Sequence, residues 1–312
     1  KIEAMKITFC CSNTNAQPWL EALQIALPEA QISLWQENTA NQLADYGIVW
    51  APPQAFFDEQ TQLKAIFNIG AGVDALLKRK IPQHLRIVRL EDAGMAVQMA
   101  EYVMMAVMNF YRQLPAMRLH QSQEKWLAPV IADRIKMTVG ILGLGILGER
   151  VAQALQHFEY PVIGWSRSPK NISGVKSYVG PDQLNTFLSQ STILVCLLPL
   201  TSETQNILNR STLSQLPQGA YLINAARGGH LVEQDLIDLL DSQHLAGATL
   251  DVAQQEPLPA GHPFWQHPKI VLTPHNAAQS LVGPCVAQIS QQLQNLHAGL
   301  KVEGEVSQAL GY

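Results

Sequence analysis

No apolar run in this chain approaches the roughly 20 residues that a membrane-spanning helix needs. The opening stretch, Lys1-Ile2-Glu3-Ala4-Met5-Lys6, has neither the apolar core nor the cleavage site of a secretory signal. Basic residues are not in excess either. Lys and Arg number 21 against 25 Asp and Glu, a formal net charge of −4, which leaves no electrostatic footprint for nucleic acid. Cysteine is scarce. Cys10 and Cys11 are adjacent, Cys196 lies in an apolar strand pattern, and neither they nor Cys285 show metal-ligand spacing. They read as reduced thiols of a cytoplasmic protein, and no metal is expected. No internal repeat or low-complexity tract appears. A first residue other than Met suggests Met5 as the natural start.

What is present is a chain of 312 residues, enough for two domains on a prior of about 150 each. At 47% hydrophobic it can bury sizeable cores. Apolar strand patterns are expected at 6–10, 32–35, 46–50, 64–68 and 87–90, with a helix at 18–26. A long helical pattern runs from Met95 to His120, interrupted or ended by Pro115, and an aperiodic stretch follows to Arg134. Further strands are expected at 160–165, 192–198, 220–224, 247–251 and 269–273, and helices at 233–242 and 283–300. This alternation predicts an α/β protein of parallel sheets covered by helices on both faces.

The most informative stretch opens with the apolar run 137–142 and continues as Gly143-x-Gly145-x-x-Gly148 into a helical pattern. Strand, glycine turn and helix are the context that gives this spacing meaning. Gly143 makes the tight turn, Gly145 lets the backbone approach a pyrophosphate, and Gly148 lets helix and strand pack closely. The following strand ends at Trp165. An NAD site usually places a carboxylate there for the ribose hydroxyls; here stand Ser166, Arg167 and Ser168. A carboxylate repels a 2′-phosphate, whereas a guanidinium grips it, so the turn favours NADP(H). A solvated basic turn is the plain alternative.

In an open α/β sheet, ligands bind beyond the carboxyl ends of the strands. Three ionisable residues follow such ends: Arg227, Glu256 and His275. Arg clamps a carboxylate and polarises a carbonyl, His delivers a proton near neutrality, and a Glu beside it stabilises the imidazolium. Singly, each has a structural reading, as a surface charge, a loop acid or a cap. Together on one dinucleotide fold they read as a site.

The segments Gly143–Gly148, Asn224-Ala225-Ala226-Arg227-Gly228, Leu250-Asp251-Val252 with Glu256-Pro257-Leu258, and Thr273-Pro274-His275 resemble, in order and spacing, the D-isomer-specific 2-hydroxyacid dehydrogenases. The resemblance runs over nearly the whole chain. Within the family, the segments 68–74, 90–95 and 165–168 and the terminal Gly311-Tyr312 are most similar to the bacterial branch that reduces glyoxylate and hydroxypyruvate.

That resemblance implies two Rossmann-like or flavodoxin-like parallel-sheet domains. The NADP-binding domain, 96–280, would be inserted into a discontinuous substrate domain of 1–95 plus 281–312. The cleft would close by a hinge near Met95–Ala100 and Leu281. NADPH would give a hydride to a small 2-keto acid, turning glyoxylate into glycolate or hydroxypyruvate into D-glycerate. Arg227 would bind carboxylate and carbonyl, His275 would protonate the alkoxide, and Glu256 would hold and charge His275. The turn Gly70-Ala71-Gly72 would take the substrate carboxylate on its N–H groups. Ile146, Leu147, Leu198, Pro199, Ala225, Ala226 and His275 would line the cofactor, and Asp251 would orient its carboxamide. A homodimer through the long helix after Met95 and the loop behind it is also implied.

Other readings stay open. Trp50 suits a small, partly apolar substrate pocket or the core, and Trp126 is equally ambiguous. Asn276 either adjusts the nicotinamide pocket or bonds the backbone. A 2-ketoacid dehydrogenase of broader specificity and a non-catalytic dinucleotide-sensing module are the competing functions. The want of a further domain after Tyr312 speaks against the long phosphoglycerate type.

Overall fold

Residues 4–12 and 14–307 are described by the computed structural model. The terminal Gly311-Tyr312 pair that contributed to the resemblance lies outside them. The chain divides into two units, Lys1–Gly94 with Ser280–Tyr312, and Met95–Gln279.

In the first unit, β1 (Lys6–Cys11), α1 (Gln17–Ala26), β2 (Gln31–Leu34), β3 (Tyr46–Trp50) and α2 (Gln54–Glu59) lead to β4 (Ala65–Asn68), α3 (Asp74–Leu77) and β5 (Arg86–Arg89). The strands pair in parallel in the order β2-β1-β3-β4-β5. β4 is buried along its length and β3 as far as Val49, as unbroken apolar runs between two helical layers should be. Near the far end of the chain, Glu305 pairs antiparallel with Val88 on the outer side of β5.

The second unit opens with α4 (Met95–Tyr111) and α5 (Leu114–Ser122). Then come β6 (Val139–Leu142), α6 (Ile146–His157), β7 (Val162–Ser166), β8 (Lys176–Val179), α7 (Gly180–Leu188) and β9 (Ile193–Cys196). α8 (Arg210–Leu213), β10 (Ala220–Asn224), α9 (Glu233–Asp241), β11 (Leu245–Leu250) and β12 (Ile270–Leu272) complete it. α10 (Val282–His297) returns the chain to the first unit. The seven strands form a parallel sheet in the order β12-β11-β10-β9-β6-β7-β8.

Alternate residues of these strands serve opposite faces. Val139, Ile141, Val195 and Ile223 pack on one side with Val103, Val107, Val151 and Leu155 of α4 and α6. Leu142, Leu194 and Leu222 pack on the other with Phe187, Leu213, Leu236 and Leu240 of α7, α8 and α9. The strand order reverses between β6 and β9, and such a reversal opens a crevice beyond the carboxyl ends.

Two departures from the sequence pattern have physical causes. The helix expected over 95–120 is broken ahead of Pro115. Gln113 takes a left-handed φ of 55°, and the proline then occupies the first turn of α5, where its missing N–H costs nothing. The strand β8, Lys-Ser-Tyr-Val, was not expected; it is a short edge strand whose polar residues mask its alternation.

Candidate active site

The three motif glycines turn out to differ. Gly143 has φ +102°, and a Cβ there would stand 2.8 Å from the Leu197 carbonyl oxygen. A Cβ on Gly148 would stand 2.0 Å from the carbonyl oxygen of Gly143. The chain's own packing demands both. Gly145 is otherwise: its backbone is extended (φ −80°, ψ −167°), and nothing lies within 4 Å of its missing side chain. No contact within the protein calls for glycine there. Open space at the N-cap of α6, whose free N–H groups favour an anion, suits a phosphate brought from outside. Ile146 and Leu147 begin that helix.

At the end of β7, Ser166 is buried and its hydroxyl donates to the Ser168 carbonyl at 2.8 Å. That bond shapes the turn and leaves Arg167 and Ser168 exposed at the surface. The Ser166 hydrogen is thereby committed within the turn, and the cation beside it is Arg167.

At the end of β10, the buried Asn224 organises the loop that bears Arg227. Its Oδ1 accepts from the Ala226 N–H at 3.2 Å, and its Nδ2 donates to the Arg227 carbonyl at 3.1 Å. Ala225 and Ala226 are buried in this loop, and so is Leu198 in the loop after β9. The Pro199 carbonyl there accepts the Thr204 hydroxyl at 2.6 Å. The Arg227 guanidinium donates to the Ala226 carbonyl at 2.8 Å. Gly228 comes next, and a Cβ on it would lie 1.9 Å from the carbonyl group of Ala253. The loops after β10 and β11 therefore touch backbone to backbone, which sets Arg227 beside the loop that carries Glu256.

Glu256 and His275 meet directly, with Oε2 and Nδ1 2.6 Å apart. Glu256 Oε1 accepts the Ala253 N–H at 3.0 Å. Partial burial pushes the Glu256 carboxyl up. The hydrogen bonds from His275 and Ala253 and the charges of His275 and Arg227 outweigh it and hold the group below its usual range. A carboxylate only accepts, so Nδ1 of His275 carries the hydrogen and Nε2 is left to serve a substrate. Both side chains are partly open to solvent.

Asp251 is buried, and its carboxylate is occupied by the turn that bears His275. Oδ1 accepts from the Thr273 hydroxyl at 2.6 Å and the Asn276 N–H at 2.9 Å, and Oδ2 accepts from the Ala277 N–H at 2.9 Å. Asn276 thus bonds the site through its backbone.

The first unit holds a separate group. The buried Asn68 donates through Nδ2 to the carbonyls of Gly70 (2.9 Å) and Gly72 (3.0 Å), and Ser280 donates to the Ile69 carbonyl. With its carbonyls tied back, a glycine turn can offer N–H groups to an anion. Trp50 lies against this turn, and a Cβ on Gly70 would stand 2.4 Å from its ring. Trp50 is partly buried, whereas Trp126 is fully exposed.

The sequence alone does not mark Asn68, Asn224 and Thr273 as organisers or Gly228 as a point of close approach. All four stand in segments that carry the resemblance, and that position is their signal; their partners are set by the fold.

The fold and the strand-end set define a two-unit α/β protein with a dinucleotide-type glycine turn. A family model described as the D-isomer specific 2-hydroxyacid dehydrogenase NAD binding domain matches residues 104–277. The glyoxylate/hydroxypyruvate reductase A of Serratia proteamaculans is 44% identical over 314 residues, covering 99% of this chain and 100% of the relative. The protein of the same name from Yersinia enterocolitica is 42% identical over the same shares. Among solved structures, a D-isomer specific 2-hydroxyacid dehydrogenase from Xanthobacter autotrophicus Py2, in complex with NADPH and MES, superposes with a TM-score of 0.95 at 36% identity, covering 99% of this chain and 100% of that one. The NADPH-dependent glyoxylate/hydroxypyruvate reductase of Sinorhizobium meliloti, in complex with NADP and sulfate, does so with 0.93 at 33% identity over the same shares. The chain belongs to the D-isomer specific 2-hydroxyacid dehydrogenase family.

Proposed function

We propose that this chain is an NADPH-dependent reductase of small 2-keto acids, converting glyoxylate to glycolate and hydroxypyruvate to D-glycerate. The observation that carries it is the His275–Glu256 pair, 2.6 Å apart, on loops that pack against Arg227. The names and bound cofactors of the relatives point the same way.

NADPH, when bound, supplies the hydride. The Gly143–Gly148 turn would hold its pyrophosphate, and Arg167 with Ser166 and Ser168 would form the 2′-phosphate turn, whose sequence carries no carboxylate. Arg227 binds the substrate carboxylate and polarises the carbonyl. His275 delivers the proton from Nε2 to the forming alkoxide, and the negative charge of Glu256 on Nδ1 stabilises the imidazolium. Within the first unit, the 70–72 turn can offer N–H donors to a carboxylate, and Trp50 packs against it. The chain works as a homodimer in the cytoplasm, a reading supported by an exposed apolar stretch around Trp126 and by four free cysteines.

A spectrophotometric panel tests this: NADPH and NADH, each against glyoxylate, hydroxypyruvate and bulkier 2-keto acids. Turnover of the two small acids, with NADPH much preferred, is the expected result. A protein that binds NADPH yet reduces no 2-keto acid would instead be a dinucleotide-sensing module.

A further inference from the structure

A partly buried chain of hydroxyls leads from α4 to the turn that carries His275. The Tyr102 hydroxyl lies 2.6 Å from Thr273 Oγ1, and Thr273 Oγ1 lies 2.6 Å from Asp251 Oδ1. The direction of these bonds is fixed by chemistry. A carboxylate only accepts, so Thr273 gives its single hydrogen to Asp251. The lone pair left on Thr273 takes the hydrogen of Tyr102. Burial pushes the Tyr102 phenol far up, so it remains a donor throughout the working range. Both bonds point toward Asp251, and hydrogen bonds aligned in a low-dielectric interior strengthen one another.

Asp251 in turn folds the loop around itself. Its side chain holds the amides of Asn276 and Ala277, and its carbonyl accepts the His275 N–H at 2.8 Å. His275 itself has φ +53°, a conformation that residues other than glycine rarely adopt. The catalytic ring therefore stands on a backbone that must be held from beneath, and Tyr102 is the far end of what holds it.

We propose that Tyr102 is a positioning residue for His275. Acting through Thr273 and Asp251, it fixes the 273–277 turn so that the imidazole stays on Glu256 with Nε2 toward the substrate. This rests on the reading of His275 as proton donor.

The test compares Tyr102→Phe, Thr273→Val and Thr273→Ser with the unaltered protein. Tyr102→Phe should lower kcat for glyoxylate about five- to tenfold, the worth of one hydrogen bond, and leave the NADPH Kd unchanged. Thr273→Val should do at least as much. Thr273→Ser, which keeps the relay, should restore kcat. Adding Tyr102→Phe to Thr273→Val should cost nothing more, since one relay is broken once. A Tyr102→Phe variant that loses only Tm, with kcat within about twofold, would show a hydroxyl that merely satisfies the core and would overturn the proposal.

A second readout needs no turnover. In protein labelled with ¹⁵N-histidine, the Nδ1–H signal of His275 on Glu256 should broaden in Tyr102→Phe and Thr273→Val and persist in Thr273→Ser. If the unaltered protein reduces no 2-keto acid but this pattern holds, the assigned reaction fails and the positioning role stands. A signal that is the same in all four proteins refutes the role whatever the reaction is.

Discussion

Glu256 is partly exposed, yet its carboxyl is held below the usual range by His275, Ala253 and Arg227. It therefore keeps its negative charge to more acidic pH than an ordinary carboxylate, and that charge sits on Nδ1 of His275. His275→Ala should cut kcat by about two to four powers of ten, the usual worth of a general acid, with NADPH binding intact by fluorescence. A loss under tenfold would point to another donor. Arg227→Ala should remove most substrate binding and rate while sparing the cofactor; normal turnover in that variant would remove Arg227 from the mechanism. These residues were readable because each follows an apolar strand, and strand ends are where such folds keep their chemistry. Asp251, expected to orient the nicotinamide carboxamide, also accepts three hydrogen bonds from the turn at 273–277. That engagement is invisible in the sequence, since it joins the ends of two neighbouring strands through backbone amides.

At the scale of elements, the interior strands of both sheets were legible, because burial on two faces writes an unbroken apolar run. The edges were not. β8 is short and half polar, and the segment beyond α10 that pairs with β5 has no strand pattern of its own. That segment is held partly by charge. Glu305 meets the Arg86 guanidinium through both oxygens, at 2.8 and 2.9 Å. The hydrogen bond from Arg86, against a smaller effect of burial, lowers the Glu305 carboxyl below its ordinary 4.5. A carboxyl lowered in the folded state binds protons less readily there than in the unfolded chain. Its contribution is whole above the ordinary value and fades as pH falls through the folded one. Arg86→Leu should therefore cost up to about 1 kcal/mol at pH 7, since both groups lie near the surface. In urea unfolding, that difference should shrink as pH falls below the ordinary carboxylate range. A difference that stayed constant through acid pH would mean the ion pair contributes nothing and only packing was lost.

At the scale of the whole molecule, an exposed apolar stretch runs from α5 toward β6. Trp126 is 103% exposed and Val130 89%, and Leu119, Leu127 and Ile135 are exposed with them. Single apolar residues at a surface mean little, but several on one short stretch usually mark an interface. The sequence showed the stretch as aperiodic and left Trp126 undecided, because the same residues would serve a core or a contact. The fold decides only that this unit's own cores do not take them: Trp126 and Val130 have no part in the buried clusters over the sheet. A second copy is the partner always at hand, and closed twofold pairs are the commonest assembly. Light scattering on a sizing column should find a dimer for the unaltered chain. Trp126→Glu together with Val130→Glu should shift it toward monomer at equal concentration, since burying two carboxylates in an apolar contact is costly. Tm at high dilution should barely change, because neither side chain supports the monomer's core. If the double variant stays dimeric, the contact lies elsewhere, and if the unaltered chain runs as a monomer at all concentrations, the homodimer is refuted.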